Sequence, residues 1–72
     1  MTALSQRQRE CLIAIEKLMR KHGYCPSIRQ ICDEMGGIGT NAVFNHLIAL
    51  EGKGYIHREA GQARTIRILE RA

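Results

Sequence analysis

The sequence has no tryptophan, one phenylalanine and two tyrosines among its 72 residues, so any core has to be built from Leu, Ile, Val and Met. A chain this short buries only about 60% of the surface its unfolded form exposes, which predicts one domain with one small core and no large pocket. Cysteine is also sparse. Cys11, Cys25 and Cys32 form an odd set with no C-x-x-C pair and no secretory signal before them, so a disulfide framework is not expected. Joining them with His22 gives spacings of eleven, three and seven residues, which match no common zinc motif, so no metal site is expected. Reduced thiols in a cytoplasmic protein are the expectation, with Cys11 and Cys32 at near-core helix positions. No apolar run approaches the roughly 18 residues needed to span a bilayer, so no membrane partner is expected. No acid–base pair, nucleophile with a base, or metal set stands at usable spacing, which argues against an enzyme, a cofactor or a small-molecule substrate.

Acidic residues are the minority, seven against eleven Lys and Arg, for a net charge of +4. That balance favours a polyanionic partner, although many small domains are this basic without binding nucleic acid. Placement is more informative. Arg7, Arg9, Arg20, Lys21, Arg29, Lys53, Arg58, Arg64, Arg67 and Arg71 are spread through every element, which suggests several phosphate clamps rather than one basic tail.

What the chain does have is a pair of amphipathic helical patterns in residues 28–52, split by a Gly-rich turn. Ile28, Ile31, Cys32 and Met35 fall at i, i+3, i+4 and i+7, on one helical face that should be buried. Beyond the turn, Val43, Leu47 and Leu50 define an inward side, while Asn41, Phe44, Asn45 and Ile48 project from roughly the opposite side. Two short helices joined by a tight glycine-containing turn in a basic chain read as a helix-turn-helix whose second helix enters the DNA major groove.

The flanking residues supply the frame. S-Q-R-Q from Ser5 and S-I-R-Q from Ser27 have the form of capping boxes, which predicts helices over residues 5–22 and 28–35. In the first, Leu12, Ile15, Met19 and His22 share a face with Cys11 and Leu18 at its edge, and Ile13 falls off it and should be exposed. Tyr24, Cys25 and Pro26 form an extended connection. Gly36, Gly37 and Gly39 allow the reversal, with Ile38 tucked into the core. G-I-G-T-N-A from Gly37 to Ala42 formally fits a dinucleotide fingerprint, but a helix precedes it and no βαβ unit fits in what remains. The third helix is expected over residues 40–52, stopped by the glycines of E-G-K-G. Strand-like runs at 55–58 and 65–69 enclose a polar loop containing Gly61. The whole is predicted to be a mainly α winged helix-turn-helix, three helices plus a β-hairpin wing, occupying residues 1–72.

Three segments together carry a family resemblance: G-Y-C-P-S-I-R-Q-I-C from Gly23, H-L-I-A-L-E-G-K-G-Y-I-H-R-E from His46, and R-T-I-R-I-L from Arg64. With the opening M-T-A-L-S-Q-R-Q they resemble the N-terminal DNA-binding domain of LexA-type SOS repressors over nearly the whole chain. The resemblance implies a winged helix that binds a palindromic operator as a dimer and represses DNA-damage genes, in the cytoplasm of a bacterium or from a phage. Repressors of that family continue into a hinge with a cleavage site and a Ser-Lys peptidase domain that also dimerises. None of this precedes Ala72, so self-cleavage is not expected of this sequence, which reads as the operator-binding part of a longer repressor or a small standalone relative. Phe44 and Asn45 depart from the acidic pair of the enterobacterial form, so its operator does not transfer. Gly37, Gly39 and Thr40 depart in the turn, where the family often has Ser-Pro at the helix start, and Cys25 stands where proline is usual.

Asn41 carries over as a base-reading position and Ala42 as one of close approach to DNA. An asparagine can bond adenine at N6 and N7 in a bidentate manner, which makes Asn41 and Asn45 candidate base readers. The alternatives are that Asn41 only helps cap its helix and that Asn45 is solvated. Phe44 could pack on a thymine methyl. With Ile48 it could instead form an apolar patch for a protein partner, or lie partly buried beside the second helix. His46 reads as structural. Candidate phosphate contacts are Arg7, Ser27, Arg29, Thr40 and Lys53, with Gln62 and Arg64 at the wing tip, each of which could instead be ordinary solvated surface. A small protein-interaction module is the competing function.

Overall fold

Side-chain capping boxes start the first two helices. In the computed structural model, which describes residues 4–58 and 66–70, the Ser5 hydroxyl accepts from the Gln8 N–H at 3.2 Å while Gln8 Oε1 accepts from the Ser5 N–H at 3.1 Å. These bonds satisfy N–H groups that a helix start leaves free, and α1 runs Gln6–His22. It stops at Gly23, whose φ of 77° is left-handed and whose N–H returns to the Met19 carbonyl at 2.8 Å. Arg20, Lys21 and His22 fill the last turn, where positive charge suits the helix dipole. Helix α2, Ile28–Glu34, repeats the box with Ser27 and Gln30.

The reversal after α2 rests on Gly36 and Gly37, with φ of 89° and 85°. Side chains are strained in that region. Gly39 is different. Its φ is −72° and it serves as the N-cap of α3, Thr40–Gly52, without a side-chain cap bond. The stop of α3 falls within E-G-K-G, as its glycines predict. Gly52 is still helical, and the left-handed residue is Gly54 at φ 82°. The wing is an antiparallel hairpin of β1, Ile56–Arg58, and β2, Ile66–Ile68, with Ile56 opposite Ile68 and Arg58 opposite Ile66. Tyr55 lies outside β1, yet its carbonyl accepts the N–H groups of Leu69 at 2.8 Å and Glu70 at 3.2 Å, which closes the hairpin base.

One aliphatic cluster joins all five elements: Leu12 and Ile15 from α1, Ile31 from α2, Val43, Leu47 and Leu50 from α3, and Ile56 and Ile66 from the wing. Two expectations for α1 need correction. His22 is exposed and stacks on Tyr24 at 5.4 Å between ring centroids, because α1 ends there and its last turn projects past the core. Cys11 and Leu18 are not edge residues but fully core. Both α2 and α3 pack on α1, so it buries a wider arc than a single stripe. Burial, and secondarily the neighbouring Cys32, pushes the Cys11 thiol up to about 11, so at neutral pH it is an uncharged packing group. Ile38 sits half-buried against the cluster's margin rather than inside it. Ile13 is exposed, as its position off the apolar face predicts.

Candidate nucleic-acid interface

Helix α3 is divided lengthwise. Val43, Leu47 and Leu50 are each fully buried, and their positions at i, i+4 and i+7 place them on one side. Asn41, Phe44, Asn45 and Ile48 are all exposed on the other. Phe44 at 43% and Ile48 at 59% exposure are too open for the reading in which they are partly buried beside α2. Ala42 and His46 are half-buried on the flank. Thirteen residues make α3, about 20 Å long, and a B-DNA major groove about 12 Å wide admits such a helix.

The candidate phosphate ligands are placed unequally. Arg29, the second residue of α2, is exposed and forms no ion pair with the described residues. Thr40 is exposed at the first position of α3. Ser27 is half-buried, and its oxygen accepts from the Gln30 N–H, which leaves the hydroxyl proton to donate outward. Arg7 pairs with Glu10 at 3.3 Å on open surface, a contact worth about 0–1 kcal/mol that a phosphate can displace. Lys53 has work inside the fold: its Nζ donates to Gln8 Oε1 at 2.7 Å, tying the end of α3 to the capping box of α1. Gln62, Arg64 and the loop expected around Gly61 lie outside the described residues.

Sequence reasoning missed the bonds that set the wing against the helices. Glu51, in the last turn of α3, accepts the Arg58 backbone N–H at 3.2 Å, and its other carboxylate oxygen lies 3.6 Å from Arg58 Nε. Cys25 accepts the Ile66 N–H at its sulfur at 3.3 Å, joining the α1–α2 connection to β2. Lys17 of α1 reaches Glu34 of α2 at 3.0 Å. No local pattern marks such pairs, since each spans separate elements.

Three helices in sequence, the third half-buried and half-presented, followed by a hairpin, define a winged helix-turn-helix domain. The chain belongs to the LexA DNA binding domain family, whose model matches residues 1–65. It is 46% identical over 68 residues to the LexA repressor of Thermotoga maritima, covering 94% of this chain and 34% of that protein. It is 43% identical to the LexA repressors of Desulfitobacterium hafniense, over 67 residues with 93% and 33% covered, and of a Geobacillus species, over 70 residues with 97% and 34% covered. The chain thus spans about a third of the length of these relatives.

Proposed function

We propose that this chain is the operator-binding part of a transcriptional repressor, placing α3 in the major groove of a palindromic double-stranded site inside the cell. The observation that carries this reading is the lengthwise division of α3: one face sealed into the core, the other offering two asparagines and two apolar side chains to a partner. Asn41 and Asn45 would bond base edges, Ala42 would permit close approach and Phe44 would pack on a base methyl. Arg29, Thr40, Ser27 and Arg7 would contact phosphates, with Gln62 and Arg64 adding contacts from the wing. Lys53 would either contribute directly or hold the end of α3 in place through Gln8. Membership in a family of DNA-binding domains supports the assignment, and two copies would occupy the two half-sites.

Duplex binding measured across a salt series tests the proposal. Counterion release makes affinity fall steeply between about 50 and 200 mM salt. A salt-independent interaction, or none, would count against DNA as the partner.

A further inference from the structure

Resting on the DNA-binding reading above, we propose that the presented face of α3 reads adenine edges and thymine methyl groups, so that the base pairs beneath it in the operator are A·T pairs. The side chains that α3 possesses limit which bases it can read. Guanine is most often recognised by Arg or Lys, bidentate to O6 and N7. Helix α3, Thr40–Gly52, contains neither residue. Cytosine is recognised by Glu or Asp accepting from N4. The one acidic residue of α3 is Glu51, and both its carboxylate oxygens face Arg58 at the wing base, at 3.2 and 3.6 Å. His46 is half-buried on the flank rather than on the presented face.

The remaining side chains suit A·T pairs. Asn41 and Asn45, one turn apart and exposed, offer the amide that matches adenine N6 and N7. Phe44 and Ile48, also one turn apart, expose apolar surface at 43% and 59%. In a major groove the apolar group they can meet is the C5-methyl of thymine, on the strand opposite the adenine. The apolar and amide positions alternate along the face, in the order Asn41, Phe44, Asn45 and Ile48. A protein surface on Phe44 and Ile48 would also cover Asn41 and Asn45, exposed on the same face, and would have to hydrogen-bond both amides.

The experiment selects duplexes from a randomised pool with the full chain, then measures affinity for the best site with individual thymines replaced by deoxyuridine, which removes only the methyl. Selected sites should carry A·T pairs under α3. Each methyl in contact should cost about fourfold in affinity when removed, and Phe44→Ala should abolish that penalty at its own position while thermal unfolding stays unchanged. Asn41→Ala should lower affinity about 5- to 150-fold and relax selection of one adenine. Selection of G·C pairs beneath α3, or no cost of deoxyuridine, with salt-dependent binding intact, overturns this inference and leaves the DNA-binding reading standing. Loss of all salt-dependent binding overturns both. If Phe44→Ala and Ile48→Ala leave base selection unchanged but alter sedimentation of the chain, the patch serves a protein contact and the inference fails.

Discussion

The two sides of α3 obey different rules. On the hidden side, Val43, Leu47 and Leu50 are sealed against the other elements, and each position answers to packing. On the presented side, Asn41, Phe44, Asn45 and Ile48 touch solvent and answer to whatever the helix meets. Exposing Phe44 and Ile48 forgoes hydrophobic stabilisation that burial would supply, roughly 1.5–3 kcal/mol for each such side chain. A fold with so small a core tolerates that because the hidden side is complete without them. The contrast teaches that the hidden and presented faces of this helix answer to separate demands, and five substitutions and a titration can break or sharpen it.

The largest effect should come from the hidden side. Leu47→Ala should cost about 2–5 kcal/mol of stability in urea unfolding, with any loss of DNA affinity following from unfolding. A cost under about 1 kcal/mol would mean that the core is not sealed there. The same sealed interior holds Cys11, whose thiol titrates at about 11 when folded, against 9.0 for the free group. Between those values the unfolded state gives up the proton first, so stability should be undiminished below pH 9 and fall by up to about 3 kcal/mol as pH rises through the window. Cys11→Ala should flatten that slope relative to the parent, even though it lowers stability at neutral pH.

The presented side should respond in binding alone. Asn41→Ala should cost about 1–3 kcal/mol of affinity for the preferred duplex while urea unfolding stays within about 0.5 kcal/mol of the parent. Helix starts bring smaller effects. Ser27→Ala removes the box that starts α2 and should destabilise by about 1 kcal/mol. Gly39→Ser would give α3 the cap that it lacks, in extended backbone with open space around the new Cβ, and should stabilise by a few tenths of a kcal/mol. If Gly39→Ser lowered DNA affinity while raising stability, the bare start of α3 would itself belong to the reading surface.

Much of this was legible beforehand because it is local. The capping boxes at Ser5 and Ser27, the end of α1 at Gly23 and the division of α3 follow from spacings of three and four residues. The errors arise where the outcome depends on what lies across space. His22 shares the periodicity of Leu12 and Ile15 but reaches past the last element that could cover it. Cys11 and Leu18 look marginal on a helical wheel and are core because two helices pack on α1. Gly39 looks like its neighbours Gly36 and Gly37, yet only those two adopt positive φ.

By itself the sequence determined the helices, their order, the turn and the composition of the presented face of α3, since hydrophobic period, capping chemistry and side-chain type are properties of neighbouring residues. Tertiary structure alone decided which polar groups the fold uses up. Lys53 meets Gln8 across 45 residues of chain, Glu51 turns to Arg58 at the wing base, and Cys25 accepts from β2. A charged side chain has the same character in sequence whether it is occupied or available. Its partner is chosen by the packing of the aliphatic core, which brings distant elements within hydrogen-bonding reach.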